Sequence, residues 1–167
     1  MRSAEALKPS RIFVLLVFMS VCGSLNAQTV KLLTINQLED RVSKGGDTVY
    51  VVSFWATWCA PCIAELPYFE KLQTTYKDQP LKVLLVSLDF KSKLEKAVIP
   101  FVTRRKLTNE VFLLNEANAQ EYIDRVSTQW SGAIPATLIY NKKKALRKFY
   151  EKEFTYDELD KTYQASK

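Results

Sequence analysis

The residues Phe-Trp-Ala-Thr-Trp-Cys-Ala-Pro-Cys occupy positions 54–62 and place two cysteines, Cys59 and Cys62, three positions apart. The preceding residues, 48–54, are nearly all apolar and rich in β-branched and aromatic side chains, which is typical of a strand buried on both faces. Beyond Cys59 the apolar residues recur with the spacing of one helical face: Ile63, Leu66, Phe69, Leu72 and Tyr76. The cysteine pair therefore lies where a buried strand gives way to a helix, and this junction restricts the fold more than any other feature of the chain.

The number and spacing of the cysteines argue against a fold that is held together by disulfides. The third cysteine, Cys22, lies in an N-terminal segment that we expect to be removed. Secreted domains that depend on disulfides use several bridges between distant segments. A bridge from Cys59 to Cys62 closes almost no chain and removes little loop entropy, so it would add little stability. We therefore expect these two cysteines to serve chemistry.

Residues 1–27 have the layout of a secretory signal peptide. A basic start is followed by an almost wholly apolar run over residues 12–22 and by a small residue, Ala27, after which we expect cleavage. The apolar run is shorter than the roughly 20 residues that a membrane-spanning helix needs. Two alternatives stay open: an uncleaved segment that anchors the protein in the membrane, and a lipid attached to Cys22. The protein is predicted to be exported to the periplasm.

The remaining residues, 28–167, fit one compact domain. Residues 1–27 hold three of the 24 basic side chains and one of the 18 acidic ones, so this domain has a net charge of +4. The excess is mild and spread out, and its one dense cluster, residues 141–144, looks like the tip of a hairpin. Nucleic-acid binding needs a focused basic face, so no nucleic-acid partner is expected.

Helices and strands are predicted to alternate along this domain. Thr34 and Gln37 have the spacing of a capping box, which predicts a short helix that ends at the glycine pair Gly45 and Gly46. Further helices are predicted after Cys59 and over residues 94–102, 119–130 and 156–165. Strands are predicted over residues 48–54, 81–88, 111–114, 136–140 and 146–150, the last two forming an antiparallel hairpin. This order predicts an α/β domain with a central mixed β-sheet flanked by helices on both faces.

The start of a helix is a favourable place for a thiolate. Unpaired backbone N–H groups and the helix dipole stabilise the negative charge, so Cys59 is predicted to be the more acidic and more exposed of the two thiols. Thiolates in such settings have pKa values of about 3.5 to 7.5, against about 8.5 for a free cysteine. Cys62, one turn later, is predicted to face inward and to attack a mixed disulfide formed at Cys59. Pro61 fixes the backbone early in the helix, while Trp55 and Trp58 are predicted to wall the site.

Other uses of the cysteine pair fit the sequence less well. A zinc site needs about four ligands, and the chain has no histidine and no cysteine besides this pair after export. Covalent haem attachment needs a histidine after the second cysteine, where this chain has Ile63. An inert surface disulfide stays open, although it leaves the tryptophans and the proline at the junction unexplained.

Two stretches of the sequence resemble a known superfamily. Residues 54–62, followed by Pro67, resemble the active-site segment of the thioredoxin superfamily. The fuller run 58–67 is similar to that of the exported TlpA/ResA-like thiol–disulfide oxidoreductases. Residues 132–137, Gly-Ala-Ile-Pro-Ala-Thr, resemble the loop that carries the cis-proline of the superfamily. The resemblance covers roughly residues 49–163 and implies a thioredoxin-like fold.

The resemblance also implies roles for residues outside the cysteine motif. Ile134 would lie opposite the cysteines and offer its backbone to a substrate strand, while a cis Pro135 shapes the loop; a trans proline that starts a strand is the alternative. Cytoplasmic thioredoxins have a buried aspartate at the position of Ser53. Glu65 is the natural replacement, as in the TlpA/ResA-like group, and is predicted to tune the cysteine pKa values or to relay a proton through water to Cys62. A glutamate on the helix surface is the alternative.

The activity implied by the resemblance is that of an exported thiol–disulfide oxidoreductase acting mainly as a protein disulfide reductase. Cys59 would form a mixed disulfide with the substrate and Cys62 would resolve it, with no cofactor and no metal ion. A membrane protein that passes electrons outward is expected to reduce the pair again. The implied substrates are protein disulfides, including an apocytochrome c, in cytochrome c maturation or envelope redox homeostasis. The protein is expected to be a monomer.

Several alternatives to a reductase stay open. An oxidase or isomerase would use the same residues. The reduction potentials of dithiol proteins span about −270 to −120 mV, and Ala60 and Pro61 do not fix the potential of this pair. A peroxidase is less favoured, because the cysteine of a peroxidase usually has hydroxyl-rich surroundings. Here the residue before Cys59 is Trp58, which has no hydroxyl group. A binding or chaperone-like module could keep the fold without catalysis. Residues 89–116 add a helix and a strand to the minimal thioredoxin fold, for partner selection or for the core.

Overall fold

The computed structural model describes residues 29–167, so the predicted signal segment and Cys22 lie outside the described residues. Within them, strands and α-helices alternate. The strands are β1 (Lys31–Leu33), β2 (Val49–Trp55), β3 (Leu81–Ser87), β4 (Glu110–Leu114), β5 (Ala136–Asn141) and β6 (Leu146–Tyr150). The helices are α1 (Ile35–Ser43), α2 (Ala60–Thr75), α3 (Ile99–Arg105), α4 (Ala119–Val126) and α5 (Tyr156–Gln164). A 3₁₀ turn (Lys91–Lys93) and a π-helical turn (Leu94–Val98) lead into α3. None of the helices between residues 29 and 167 is both long and apolar enough to cross a membrane.

The strands form one mixed sheet in the order β1-β4-β3-β2-β5-β6. The four strands β1, β4, β3 and β2 run parallel to one another. Strand β5 is antiparallel to β2, and β6 is antiparallel to β5. The predicted mixed sheet and the predicted hairpin are therefore confirmed. Because β2 lies between β3 and β5, the loops that follow β2, follow β3 and precede β5 meet at one edge of the sheet.

Helices cover both faces of the sheet, as predicted. On one face, Val51 and Trp55 of β2 belong to a core that also includes residues of α2, α3 and α5. On the other face, Tyr50, Val52 and Phe54 belong to a core with residues of α1 and α4. All seven residues of β2 are buried, which explains why this strand is nearly all apolar rather than alternating.

The N-terminus of α1 confirms the predicted capping box. Thr34 Oγ1 accepts a hydrogen bond from the backbone N–H of Gln37 at 3.3 Å, and Gln37 Oε1 accepts one from the backbone N–H of Thr34 at 2.9 Å. Each side chain thus satisfies a donor that the first helical turn leaves unpaired.

Helix α4 is shorter than predicted. It ends at Val126, whereas the apolar spacing predicts a helix as far as Trp130. Ser127 has an extended backbone, and its Oγ accepts a hydrogen bond from the N–H of Gln129 at 3.1 Å. This local bond competes with the helical pattern. Trp130 lies in the turn after α4 and is nevertheless buried. The centroid of its ring lies 4.9 Å from that of Phe54.

Residues 89–116 contribute directly to the sheet. They contain α3 and β4, and β4 inserts between β1 and β3. The helix predicted over residues 94–102 starts as the π-helical turn and becomes α-helical only at Ile99. Strand β1 was not predicted, because it has three residues and only Leu33 among them is buried. It pairs along its whole length with β4, so the added strand is part of the core.

Candidate active site

The cysteine pair lies at the carboxyl end of the central strand. β2 ends at Trp55, Cys59 is the N-cap residue of α2, and the helix begins at Ala60. Cys59 and Cys62 form a disulfide, with their Cα atoms 5.3 Å apart. The backbone N–H of Cys62 donates to Cys59 Sγ at 3.3 Å. An ionised sulfur at that position would accept this N–H at the positive end of the helix dipole, and both interactions stabilise a thiolate.

Only one of the two sulfurs is near the surface. Cys59 is 5% exposed, whereas Cys62 is completely buried. Trp58 is 68% exposed, and Pro61 is exposed as well, so both can meet a substrate. Trp55 is completely buried and belongs to the same core cluster as Cys59 and Cys62, so it offers no exposed surface to a substrate. It lies at the end of β2, and its ring lies 5.2 Å from that of Phe101 in α3.

The loop before β5 lies against Cys59. The peptide bond between Ile134 and Pro135 is cis. The carbonyl oxygen of Ile134 lies 3.8 Å from Cys59 Sγ. The indole N–H of Trp130 donates to the carbonyl oxygen of Ala133 at 2.7 Å, which holds the chain as it approaches β5. The structure thus places Ile134 and Pro135 beside the cysteine pair.

Two further residues position the cysteine loop, and the sequence analysis missed both. Asp89 is buried just after β3, and its carboxylate accepts the backbone N–H of Thr57 at 2.8 Å and the hydroxyl of Thr57 at 2.6 Å. The hydroxyl of Ser87 donates to the same carboxylate at 2.8 Å. These bonds attach the loop after β2 to the end of β3. An aspartate directly after a buried strand was the signal that could have identified this contact.

Glu65 lies inside the protein, and the alternative of a glutamate on the helix surface is wrong. Its side chain is completely buried in α2, one turn after Cys62. Glu65 Oε2 accepts the backbone N–H of Phe154 at 2.8 Å. Burial raises the pKa of Glu65 from 4.5 to about 7; the Phe154 hydrogen bond opposes this rise, and the nearby Glu153 charge adds to it. A carboxyl group with this pKa can gain or lose a proton near neutral pH.

Several buried polar atoms lie on the same face of the sheet as Cys62. Ser53 is opposite Thr137 in the antiparallel pairing of β2 with β5. Within residues 29–167, Ser53 Oγ, Thr137 Oγ1 and Glu65 Oε1 are buried and have no hydrogen-bond partner. Buried polar atoms without a partner are rare in proteins and are commonly bonded to internal water. This part of the core is therefore polar enough to hold water.

No metal centre is apparent in the described part of the chain. Across residues 29–167, no three side chains of histidine, cysteine, aspartate or glutamate are grouped so that they could hold a metal ion.

Known proteins with similar sequences include thiol–disulfide oxidoreductases. A family model described as the AhpC/TSA family matches residues 24–149. The thiol-disulfide oxidoreductase ResA of Oceanobacillus iheyensis is 45% identical over 53 residues, which make up 32% of this chain and 26% of that protein. The thioredoxin-like protein YneN of Bacillus subtilis is 30% identical over 110 residues, or 66% of this chain and 60% of YneN. ResA of Geobacillus kaustophilus is 26% identical over 134 residues, or 79% of this chain and 68% of that protein. The chain thus spans only part of the length of these relatives.

Solved structures share the fold. A thiol:disulfide interchange protein from Chlorobium tepidum superposes with a TM-score of 0.60 at 18% identity, covering 76% of this chain and 83% of the other. A thioredoxin-related protein from Neisseria meningitidis superposes with a TM-score of 0.61 at 21% identity, covering 71% and 84%. Likeness at these identities shows the fold alone. Since the family model matches more than half of the chain and the predicted resemblance to ResA-like proteins is confirmed, the chain belongs to the AhpC/TSA family and has a thioredoxin-like fold.

Proposed function

We propose that this protein is an exported thiol–disulfide oxidoreductase that acts mainly as a protein disulfide reductase. The observation that carries the proposal is the Cys59–Cys62 disulfide at the start of α2, with Cys62 completely buried and Cys59 next to the Ile134 carbonyl. A bridge that spans three positions adds little stability, so its use lies in being opened and closed. The relatives named as thiol-disulfide oxidoreductases support this activity.

The reaction starts from the dithiol form. The Cys59 thiolate attacks one sulfur of a substrate disulfide, a new bond joins Cys59 to that sulfur, and the other substrate sulfur leaves as a thiolate that takes up a proton. The thiolate of Cys62 then attacks Cys59 Sγ and releases the second substrate sulfur, which also takes up a proton. The substrate gains two electrons and two protons, and the protein is left with the Cys59–Cys62 disulfide.

Glu65 supplies a proton acceptor for the second step. Cys62 is buried and must lose its proton before it can attack, and bulk water does not reach it. Glu65 lies one turn away in α2, and its pKa of about 7 suits a general base near neutral pH. We propose that water next to Ser53 and Thr137 links the thiol to the carboxylate, because these buried hydroxyls have no other hydrogen-bond partner in the described part of the chain.

The substrate is held beside Cys59 by the loop before β5 and by the exposed residues of the motif. The Ile134 carbonyl, next to Cys59 Sγ, can accept a backbone N–H of an extended substrate segment. Pro135 sets the shape of that loop, and Trp58 and Pro61, which flank Cys59 in the chain, offer exposed apolar surface.

The N-terminal segment supports an exported setting for this activity. Residues 1–27 act as a secretory signal, residues 28–167 form the exported thioredoxin-like domain, and Cys22 is a candidate for lipid attachment if the segment is processed there. A membrane thiol-reductant protein would return electrons to the Cys59–Cys62 pair. The substrates would be protein disulfides, with an apocytochrome c as one example. The domain would act as a monomer without a cofactor.

Trapping the mixed disulfide tests the proposal. In Cys62→Ala the first attack can occur but the resolving step cannot, so a substrate should stay attached to Cys59 and be released by dithiothreitol. Cys59→Ala is the matched control and should trap nothing. If the wild-type protein reduces no insulin and Cys62→Ala traps nothing, the protein is a binding module rather than an oxidoreductase.

The direction of the reaction is tested by the reduction potential of the pair. A reductase should have a potential near the thioredoxin value of about −270 mV, whereas a value near −120 mV would assign the protein as an oxidase. Equilibration of the protein with glutathione or dithiothreitol mixtures, followed by alkylation of free thiols, measures this value.

A further inference from the structure

We propose that Phe90 is a docking residue that contacts an apolar side chain next to the cysteine of a protein substrate. The proposal rests on the function proposed above and assigns one side of the site to substrate recognition. Phe90 lies in residues 89–116, for which partner selection is an open alternative.

The sheet order places Phe90 beside the cysteine loop. β3 and β5 are the two neighbours of β2, so the residues after β3 emerge at the edge that carries Cys59. The backbone N–H of Thr57 donates to Asp89 at 2.8 Å, and Phe90 follows Asp89 directly. Ile134 precedes β5 and therefore lies on the opposite side of Cys59. A substrate segment that crosses the sulfur from Ile134 therefore runs toward Phe90.

The backbone around Phe90 is held in place while its side chain is open to solvent. The N–H of Asp89 donates to Ser87 Oγ at 3.1 Å, and the carbonyl oxygen of Phe90 accepts the N–H of Lys93 at 2.8 Å. The side chain of Phe90 is nevertheless 81% exposed. An exposed aromatic ring on a fixed backbone loses little conformational freedom when a partner covers it.

The distribution of exposed apolar side chains supports a docking role. Among residues 29–167, the exposed large hydrophobic side chains are Trp58, Phe90 and Leu32. Single exposed hydrophobic residues are common and need no explanation. Here, however, both aromatic ones lie at the edge of the sheet that carries Cys59, whereas Leu32 lies in β1 at the far side. Aromatic side chains are enriched where interfaces gain most of their binding energy.

The occupant that fits this position is a segment of a disulfide-bearing protein. The mixed disulfide brings such a segment within bonding distance of Cys59, so the residues next to the substrate cysteine must cover the surface on either side. In an extended segment, side chains on one face repeat about every 7 Å, so an apolar residue close to the substrate cysteine can contact Phe90. No such covalent step brings a second copy of this chain to the same surface.

The test compares a protein disulfide with a small one. The value of kcat/KM is measured for insulin and for hydroxyethyl disulfide. The value for insulin divided by the value for hydroxyethyl disulfide reports contacts that only a polypeptide makes. We expect Phe90→Ala to lower this ratio about 5- to 30-fold, the range expected from loss of an interface anchor. Phe90→Leu should retain most of the ratio because it keeps an apolar side chain. Leu32→Ala removes an exposed apolar side chain far from the site and should leave the ratio unchanged.

Each outcome bears on the proposal. An unchanged ratio in folded Phe90→Ala, with a wild-type protein that reduces both disulfides, overturns the docking role and leaves the proposed function intact. A wild-type protein that reduces neither disulfide overturns both. If Phe90→Ala leaves the ratio unchanged but alters the sedimentation behaviour of the protein, Phe90 covers a second copy of this chain instead, and the docking proposal is wrong.

Discussion

Replacement of Glu65 by glutamine should make the protein more stable at alkaline pH. Because the pKa of Glu65 is about 7 in the folded protein and near 4.5 in an unfolded chain, the folded state holds an extra proton between these pH values. The wild-type protein therefore loses stability as the pH rises through this window, and the loss levels off above about pH 7. A change in pKa from 4.5 to about 7 corresponds to about 3 kcal/mol.

Glutamine stays neutral at every pH and can keep the oxygen that accepts the Phe154 N–H. The stability difference between Glu65→Gln and wild type should therefore shift in favour of the variant by about 3 kcal/mol between pH 4.5 and pH 8. Urea unfolding of both proteins in the disulfide form, at several pH values, measures this shift without titration of the thiols. Glu95→Gln removes the same charge at an exposed position and serves as the control. A difference between Glu65→Gln and wild type that is the same at both pH values would refute the argument.

The proposed catalytic role of Glu65 is tested on the same variant. If Glu65 accepts the proton of Cys62, then Glu65→Gln should alter the pH dependence of alkylation of the reduced thiols. Unchanged thiol pKa values in Glu65→Gln would eliminate both the tuning and the relay role.

Three further predictions concern the bonds that support the site. Asp89→Asn should leave unpaired one of the groups that donate to this carboxylate, which are the N–H and hydroxyl of Thr57 and the hydroxyl of Ser87. The loss should cost about 1–3 kcal/mol of stability, measured by urea unfolding; an unchanged midpoint would contradict this role. Glu70→Gln should cost about 1 kcal/mol, because the Glu70 carboxylate accepts backbone N–H groups of residues 108–109, and hydrogen exchange of those amides should rise. Trp130→Phe should cost about 1 kcal/mol through loss of the indole hydrogen bond to the loop before β5, and equal exchange rates in that loop would disprove it.

Local patterns account for the parts of the fold that could be predicted. β2 and β3 are nearly all apolar because helices cover both of their faces, and this composition is visible without knowledge of their partners. The capping box of α1 spans only residues 34–37 and could likewise be identified directly. Cys59 and Cys62 lie within one helical turn, so the chemistry that they share was evident from their spacing.

The parts that were missed depend on contacts between distant residues. Strand β1 is too short to have a pattern of its own and is fixed by pairing with β4, about 80 positions later. The burial of Glu65 depends on Phe154, which lies 89 positions away, so a helix pattern alone left its surface alternative open. The attachment of Thr57 to Asp89 requires that β2 and β3 be adjacent and parallel. Such pairings follow from the sheet order, which is a property of the whole domain.

Two opposing electrostatic effects act on the reduction potential of the cysteine pair. The start of α2 stabilises the Cys59 thiolate, which favours the dithiol and makes the pair more oxidising. An ionised Glu65, one turn from Cys62, disfavours a nearby thiolate and therefore favours the disulfide. Since the pKa of Glu65 is about 7, its charge develops as the pH rises through that value. The potential of the wild-type pair should therefore fall below that of Glu65→Gln above pH 7 and converge with it near pH 4.5. Potentials that stay equal across this range would leave the reductase proposal without this electrostatic support.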